Sequence, residues 1–225
     1  MTRHKWRPLD FWMLGLTAFW FFWTGLVAQP AQFIHDFDQA IALPLHHSPQ
    51  WFQQLMVGYT QLGNPHNLTI ITLVLGLGLL MLKQPRATIF LWINTWIFGG
   101  YGNYFVKQII QRPRPTAWRL VQIGGYSYPS GHSTSTTLLI GSLIVIAWDL
   151  WPNRYRLKRW LLGIGASLVG LMMVSRIIVG VHYPSDTVGG LILGCCLLYL
   201  SVRLTTGRRT GPLNYQSTHQ NSSKE

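Results

Sequence analysis

Residues 160–186 read WLLGIGASLVGLMMVSRIIVGVHYPSD, and two features of this stretch guide the interpretation of the whole chain. Its first 16 residues carry no charge, and the apolar run resumes after Arg176 for five more residues. With a turn of flanking residues, such a run is long enough for a helix to cross a bilayer, which takes about 20 residues. A charge inside an apolar run is costly and normally marks a function. The stretch therefore predicts a transmembrane helix that ends in a functional polar cluster.

Similar uncharged apolar runs recur along the chain, at 11–28, 67–82, 87–106, 133–148 and 187–202. Together with 160–175 they predict an all-α integral membrane protein with six transmembrane helices. The composition agrees, because 48% of the residues are hydrophobic and only 11% are charged, whereas about 25% are charged in soluble domains. We expect residues 1–225 to form a single membrane-embedded domain, with a polar, disordered cytoplasmic tail over about 208–225.

The basic residues are concentrated in short clusters between the apolar runs. There are 18 Lys and Arg against 6 Asp and Glu, a net charge of +12. The charges do not follow a soluble face, so the lipid bilayer is the expected partner and nucleic acid is not. Cytoplasmic loops are enriched in Lys and Arg, so the side that carries four of these clusters is predicted to be the cytoplasm, together with both termini. The four clusters are Arg3, Lys5 and Arg7; Lys83 and Arg86; Arg154, Arg156, Lys158 and Arg159; and Arg203, Arg208 and Arg209.

The opposite side of the predicted membrane protein receives three longer connections. Segment 30–65 has no Lys or Arg, and apolar residues recur at helical spacing over 33–45 and 51–62, which predicts short interfacial helices between the first and second spans. The connections 107–132 and 176–186 do carry basic residues, against the distribution elsewhere. Those basic residues therefore need a reason other than topology.

Acidic and cysteine residues are too few for several kinds of chemistry. The acids are Asp10, Asp36, Asp38, Asp149, Asp186 and Glu225. Two-metal hydrolysis and paired-acid glycoside cleavage, which need convergent carboxylates, are largely excluded. Cys195 and Cys196 are adjacent, which gives neither a disulfide framework nor metal-ligand spacing. We expect no metal site and no cofactor.

Three polar clusters remain, each at the outer end of a predicted span. They are Lys107-Gln-Ile-Ile-Gln-Arg-Pro-Arg114-Pro115, Tyr128-Pro129-Ser130-Gly131-His132 and Ser175-Arg176 through His182 to Asp186. Taken singly, they could be snorkelling cations, a helix-starting turn and a stabilising pair four residues apart. Together they place three cations, two imidazoles, a carboxylate and a hydroxyl on one membrane face. Guanidinium and ammonium groups match phosphate oxygens, so the combination predicts an anion site with acid–base and nucleophilic groups.

The three clusters resemble the signatures of the type 2 phosphatidic acid phosphatase superfamily. Lys-x6-Arg-Pro, Pro-Ser-Gly-His and Ser-Arg-x5-His-x3-Asp are all complete and in order across residues 107–186. The six-span layout is similar to the membrane-bound bacterial lipid phosphatases of the phosphatidylglycerophosphatase B kind, which have undecaprenyl pyrophosphate phosphatases among their relatives. The predicted spans argue against the soluble vanadium haloperoxidases of the same superfamily.

The resemblance implies a role for each motif residue. His182 is expected to be the nucleophile that forms a phosphohistidine, oriented by Asp186. His132 is expected to protonate the leaving group and then to activate water. The phosphoryl oxygens would be held by Lys107, Arg114, Arg176, Ser130 and the Gly131 backbone. Arg112 and Arg119 fall outside the motif positions and are interpreted as headgroup contacts.

The exact substrate stays open, because the motifs recognise only the phosphate. Phosphatidylglycerophosphate, phosphatidate and undecaprenyl pyrophosphate all fit, and segment 30–65 with the groove between helices is expected to select among them. The alternative function is a non-catalytic anion transporter, which would use Lys107, Arg114 and Arg176 but gives no task to the histidines. We expect a bacterial inner-membrane protein with its site on the outer face and no evident protein partner.

Overall fold

The computed structural model describes residues 7–29 and 31–205, and every regular element in those ranges is a helix, as the all-α prediction requires. Residues 1–6 and the predicted tail at 208–225 lie outside the described part. The helices are α1 Pro8–Ala28, α2 Gln32–His46, α3 Gln50–Thr60, α4 Pro65–Met81, α5 Pro85–Trp92, α6 Asn103–Ile110, α7 Gly131–Leu150, α8 Tyr155–Ile178 and α9 Pro184–Thr205. A 3₁₀ turn, Gln61–Gly63, precedes α4, and a π-helical segment, Ile93–Gly102, joins α5 to α6.

By length and hydropathy, four of the helices in the described ranges could each cross a membrane. They are α1, α7, α8 and α9. Two further stretches, Gln50–Gly63 and Pro65–Met81, pass the test together but meet at an angle of 59°, so they would make a fifth span if the bent pair is one. The large apolar side chains that face outward on these helices suit contact with lipid, as on α1, where Trp12 is 78% exposed.

The predicted span at 87–106 is helical throughout but is not one α-helix. Its middle is the π-helical segment, which contains Gly99, Gly100 and Gly102. A Cβ at Gly99 would lie 3.0 Å from the Ser135 side-chain oxygen, so the wider turns bring this segment close against α7. Against the six spans predicted, the described part of the chain therefore has four uninterrupted candidate spans, or five if the bent pair counts as one span.

Segment 30–65 is helical where the apolar spacing predicts it, over α2 and α3. That these two helices lie at the membrane interface stays a prediction. The bend after α3 falls at Asn64, where the backbone is extended before Pro65 opens α4. Asn64 and the 3₁₀ turn before it therefore form a corner of the chain.

Close packing of α9 against the start of α7 sets the position of the site. A Cβ at Gly190 would lie 2.6 Å from the Ser130 carbonyl oxygen, and one at Gly194 would lie 2.7 Å from Cβ of Thr137. Small residues let helix backbones approach closely, which is how helices commonly pack in membranes. The Ser130 backbone N–H also donates to the Asp186 carbonyl at 3.0 Å. The Pro-Ser-Gly-His turn and the start of α9 are thereby held together.

Candidate active site

The connection between α8 and α9 presents His182 between a carboxylate and a guanidinium. Nδ1 of His182 lies 3.3 Å from Oδ2 of Asp186, and Nε2 lies 3.2 Å from Nη1 of Arg114. A proton on Nδ1 would be donated to Asp186, leaving the Nε2 lone pair to accept from Arg114. His182 lies in the bend just before α9 and Asp186 in the first turn of that helix, and the chain between them brings the two side chains together. The ring is therefore oriented with one nitrogen toward the cations.

The surroundings of His182 favour its neutral form. The residue is 3% exposed. Burial, together with the positive charges of Arg176, Lys107 and Arg114, lowers the pKa of His182 well below its ordinary value of about 6.5. The imidazole is then uncharged at neutral pH, and the electron pair on Nε2, which accepts from Arg114, would become free if a bound anion took over that guanidinium N–H.

Arg114 and Lys107 are anchored mainly by backbone carbonyls. Nε of Arg114 donates to the carbonyls of Gly124 and Gly125 at 3.1 Å each, and its Nη1 donates to the Val181 carbonyl at 2.9 Å. Nζ of Lys107 donates to the Tyr126 carbonyl at 2.6 Å. These bonds do not neutralise a positive charge, because carbonyls carry no formal charge, while burial and the charge of Arg114 lower the pKa of Lys107 to about 7. The anchors hold them in place for an anion.

Arg176 is almost fully buried, at 2% exposed. Its Nη1 donates to the Thr60 side chain at 2.7 Å. Its Nε is buried and has no hydrogen-bond partner among the residues that the structure describes. A buried donor without a partner is costly, so this atom suits an incoming anion.

The start of α7 carries Ser130, Gly131 and His132. The Ser130 hydroxyl accepts from the Ser133 backbone N–H at 3.4 Å and from its hydroxyl at 3.1 Å, so its side chain caps the helix. The first backbone N–H groups of the helix have no partner within it and are available to an anion. Asn103 on α6 packs beside Gly131 and donates to the Pro129 carbonyl at 3.3 Å.

His132 is held by a residue outside the three motifs. Its Nε2 lies 3.0 Å from Oδ1 of Asn64, at the corner between α3 and α4. No direct bond joins His132 to His182 among the described contacts. Thr60, in the same corner as Asn64, bonds Arg176, so one segment contacts both His132 and a cation of the site.

Arg112, which the sequence suggests as a contact for the lipid headgroup, instead bonds two carboxylates inside the protein. Its Nη1 donates to Oδ1 of Asp186 and to the Ser185 hydroxyl, both at 2.7 Å, and its Nη2 donates to Oδ2 of Asp38 at 2.8 Å. Its guanidinium also lies 4.1 Å from the centre of the Tyr183 ring. The structure thus bonds Arg112 to two buried carboxylates and a hydroxyl, where the sequence suggests a headgroup contact.

Asp38 completes this buried network from α2. It accepts from the Ser185 backbone N–H at 2.7 Å and from the Ser185 hydroxyl at 2.8 Å. Burial raises the pKa of Asp38, although the Ser185 backbone and Arg112 oppose the rise. Helix α2, the first helix of segment 30–65, is thus bonded directly to the first turn of α9, which bears Asp186.

Sequence reasoning missed Asp38, Thr60, Asn64 and Asn103. All four are buried or half-buried polar residues in or beside apolar helices. Uncharged polar residues are common enough in helices to give no separate signal, and only Asp38 could have been singled out, as one of six acids. Arg119 donates to the carbonyl of Pro115, the last residue of the first motif, and its side chain makes no described hydrogen bond to the cations or the histidines of the site.

A cavity of about 620 Å³ opens beside the nucleophile candidate. It is lined mainly by α2 and by the loop 110–118, and it reaches His182 and Tyr183. Its wall mixes apolar residues such as Ile34 and Ala42 with polar ones such as Gln39. Segment 30–65 therefore forms one side of the space next to the site.

The described ranges, 7–29 and 31–205, contain no group of three or more His, Cys, Asp and Glu side chains arranged to hold a metal ion. The groups suited to a ligand are instead the cations around His182. They match the oxygens of a phosphate, with guanidinium forks and an ammonium acting where water is scarce. The arrangement could bind a phosphoryl group against the Nε2 lone pair.

Comparison with known proteins gives similar sequences over most of the chain. Phosphatidylglycerophosphatase B of Bacillus subtilis (strain 168) is 27% identical over 189 residues, which cover 82% of this chain and 91% of that protein. An undecaprenyl-diphosphatase of Sulfolobus acidocaldarius is 33% identical over 111 residues, 49% of this chain and 44% of that protein.

A solved structure shares the fold. The crystal structure of a transmembrane PAP2 type phosphatidylglycerolphosphate phosphatase from Bacillus subtilis matches with a TM-score of 0.79 at 22% identity, covering 88% of this chain and 97% of that one. The model of the PAP2 superfamily matches residues 88–210, the region that holds all three motifs. The resemblance stated from the motifs is therefore confirmed. Because the match spans more than half of the 225 residues, the chain belongs to the PAP2 superfamily.

Proposed function

We propose that the protein hydrolyses a phosphomonoester or pyrophosphate of a membrane lipid through a phosphohistidine on His182, without a metal ion. The observation that carries the proposal is the orientation of His182, with Asp186 at Nδ1 and Arg114 at Nε2. A buried, neutral imidazole aimed into a cluster of cations is the arrangement that nucleophilic attack on phosphorus requires.

The reaction has two displacements. In the first, the Nε2 lone pair attacks phosphorus, the bond from phosphorus to the lipid oxygen breaks, and His132 gives that oxygen a proton. In the second, a water attacks the phosphohistidine, His132 takes its proton, and the phosphorus–nitrogen bond breaks to release inorganic phosphate. With a lipid pyrophosphate the first leaving group is the lipid monophosphate. Charge and atoms balance with water as the only co-reactant.

The cations have the task of stabilising the phosphoryl oxygens in both steps. The positive charge comes from Lys107, Arg114 and Arg176. The N–H at Nε of Arg176, which has no partner among the described residues, can donate a hydrogen bond to a phosphoryl oxygen. Backbone N–H groups at Gly131 add the field of the α7 N-terminus. We assign the Ser130 side chain to capping that helix, so that its contribution to binding comes through the backbone it holds.

Selection among lipids falls to the cavity beside α2. Phosphatidylglycerophosphate, phosphatidate and undecaprenyl pyrophosphate share the phosphate and differ in the groups that follow it. Replacing Ala42 with Trp would fill part of the cavity. We expect this variant to change the order of preference within a panel of lipid phosphates while turnover of a small aryl phosphate stays within about twofold. If the order of preference stayed unchanged, we would conclude that the cavity does not select the substrate.

We propose further that the site faces the outer side of a bacterial inner membrane, with the termini in the cytoplasm. Single cysteines at Gln122 and Asn153, both exposed positions, test this in a background without Cys195 and Cys196. Gln122 lies in the loop that bears the site, and Asn153 lies between α7 and α8. An impermeant thiol reagent should label the cysteine at 122 in intact cells and the one at 153 only after lysis. The reverse pattern would place the site in the cytoplasm.

The deciding experiment is phosphate release by the purified protein from a panel of the three lipids. Hydrolysis should continue in excess chelator without added divalent cations. Loss of activity in chelator with rescue by magnesium would contradict the mechanism. If the protein releases no phosphate from any lipid but reconstituted vesicles take up anions, the protein is the transporter that the cationic cluster alone would also permit.

A further inference from the structure

The corner between α3 and α4, residues 60–64, contacts two groups of the site from outside the three motifs. Thr60 accepts from Nη1 of Arg176 at 2.7 Å, and Oδ1 of Asn64 lies 3.0 Å from Nε2 of His132. We infer that this corner is a positioning element for the reaction: Asn64 sets which nitrogen of His132 carries the mobile proton, and Thr60 fixes the guanidinium of Arg176. The inference rests on the proposed function.

The side chain of Asn64 faces His132, although the residue stands where an Asn side chain would ordinarily cap helix α4. Asn64 is the N-cap residue of α4, where an Asn side chain usually accepts from the first backbone N–H groups of the helix. Here the side chain makes no such bond. Its oxygen faces His132 instead, and its amide nitrogen donates to the side chain of Gln61. The amide is thereby fixed with its acceptor toward the imidazole.

The corner also packs directly on the imidazole ring. A Cβ at Gly63 would lie 2.5 Å from Cδ2 of His132, closer than any real carbon contact allows. Gly63 is therefore required for the chain to reach the ring. The position of His132 is set by this contact as well as by the hydrogen bond to Asn64.

This geometry assigns the two nitrogens of His132. The Asn64 oxygen can only accept, so the proton on Nε2 is donated to it throughout the cycle, and Nδ1 is left to exchange protons. As an imidazolium, His132 donates from Nδ1 to the departing lipid oxygen. The neutral ring keeps its Nε2 proton, and Nδ1 then accepts a proton from the attacking water. The negative charge of the bound phosphate allows the imidazolium to exist among three cations.

Thr60 has a separate effect because it touches a phosphate ligand. Arg176 has one donor bonded to Thr60 and another, Nε, without a partner in the described part of the chain. Thr60 is 1% exposed, so water does not replace it easily. Fixing one arm of the guanidinium directs the other toward the anion. Loss of the hydroxyl should therefore raise KM and lower the rate for all phosphate substrates alike.

The test compares Asn64→Leu with Asn67→Leu. Asn67 lies one turn further along α4, and its side chain donates to the Gln61 carbonyl, so it supports the same corner without touching His132. We expect Asn64→Leu to lower kcat for a lipid phosphate about 10- to 100-fold, a part of the 10²–10⁴-fold that general acid–base help supplies. Phosphoenzyme formation from an activated aryl phosphate should change less than threefold. Asn64→Asp keeps an acceptor for the Nε2 proton but adds a charge that favours the imidazolium, so it should restore only part of the lost rate. Asn67→Leu should stay within about twofold of the wild type.

A spectroscopic measurement reads the tautomer independently of activity. In protein with ¹⁵N-labelled histidine, the resonances missing from a His132→Gln variant identify that ring. They should show a protonated Nε2 in the wild type and in Asn67→Leu, and a mixed or reversed pattern in Asn64→Leu. Equal losses in Asn64→Leu and Asn67→Leu for both substrates, or an unchanged tautomer, would overturn the inference and leave the corner a structural support. If the wild type hydrolyses no lipid phosphate, the proposed function fails, while the tautomer measurement still decides whether Asn64 positions His132.

Discussion

The α8–α9 connection and the start of α7 each carry one histidine of the site, and they hold it with different chemistry. His182 faces Asp186, which is itself bonded to Arg112 and through it to Asp38. His132 faces a neutral amide, Asn64. A charged network therefore holds one ring, and an uncharged hydrogen bond together with the packing of Gly63 holds the other.

This difference fits the tasks proposed for the two rings. A nucleophile must keep one nitrogen free and one orientation, and a buried carboxylate enforces both. A proton carrier must be charged in one half of the cycle and neutral in the other, so a neutral acceptor disturbs it least. A carboxylate at the same place would favour the imidazolium throughout. The comparison teaches that the partner, rather than the histidine, separates the two roles.

Replacing His182 with Ala should have the largest effect. Turnover of every substrate should fall by roughly 10⁴- to 10⁶-fold, as when one member of a catalytic triad is removed. No acid-labile phosphoenzyme should form with a lipid or an aryl phosphate, because no other group faces the cations as a nucleophile. Trapping with a ³²P-labelled substrate measures this. Labelling of the His182→Ala protein together with its loss in His132→Ala would mean that the two roles are exchanged.

Replacing His132 with Ala should have the next largest effect, and it should depend on the leaving group. Lipid turnover should fall about 10²- to 10⁴-fold, since a lipid alkoxide departs poorly without a proton. Phosphoenzyme formation from an activated aryl phosphate should suffer much less, and phosphohistidine should accumulate because the water is no longer activated. Single-turnover kinetics with both substrates separate the steps. An equal loss for the two leaving groups would contradict the general-acid role.

The buried network around Asp186 should affect stability strongly. Arg112→Met removes one partner of a buried ion pair, which costs about 3–5 kcal/mol in unfolding free energy. Arg119→Met is the matched control, because Arg119 bonds only a carbonyl of its own loop among described hydrogen bonds, and it should change stability by less than about 0.5 kcal/mol.

The coupling within that network can be measured directly. Arg112→Met, Asp38→Asn and the double variant form a cycle whose coupling energy should be about 0.5–3 kcal/mol. Thermal unfolding in detergent provides the values. Additive effects of the two substitutions would show that Arg112 and Asp38 stabilise the protein separately. The charged groups near His182 would then not form a network, and the difference from His132 described above would not hold.

The smallest expected effect is the contribution of His182 to the pH dependence of stability. Its pKa is lowered in the folded protein by burial first and then by Arg176, Lys107 and Arg114, so below about pH 6.5 the unfolded chain binds a proton that the native site refuses. The unfolding free energy should therefore fall as the pH drops, by up to about 1.4 kcal/mol per pH unit from this group. Above about pH 7.5 both states are neutral and the contribution vanishes. Replacing His182 with Asn should remove this slope between pH 6.5 and 5, and an unchanged slope would mean that the native ring binds the proton normally.

Much of the site could be found in the sequence because its residues are grouped at short spacings. His182 and Asp186 are four residues apart and meet where the bend before α9 leads into its first turn. Ser130, Gly131 and His132 are consecutive at the start of α7. The apolar runs likewise predicted the helices, although the π-helical segment at 93–102 and the bend at Asn64 were not foreseen. Those features depend on packing against neighbouring helices, which hydropathy does not describe.

The sequence alone predicts an all-helical membrane protein and three motifs that mark the candidate site, and the described residues, 7–29 and 31–205, are helical wherever they form regular elements. Hydrophobicity and residue spacing are local properties, so they can be read without knowing which helices are neighbours. Only the tertiary structure decided that Asn64 holds His132, that Thr60 holds Arg176 and that Arg112 links Asp38 to Asp186. Asn64 and His132 are 68 residues apart along the chain, and Thr60 and Arg176 are 116 apart. Arg112 is 74 residues from each of its two carboxylate partners. Their contacts arise from how closely α7, α8 and α9 pack with α2 and the α3–α4 corner, which is set by many side chains at once.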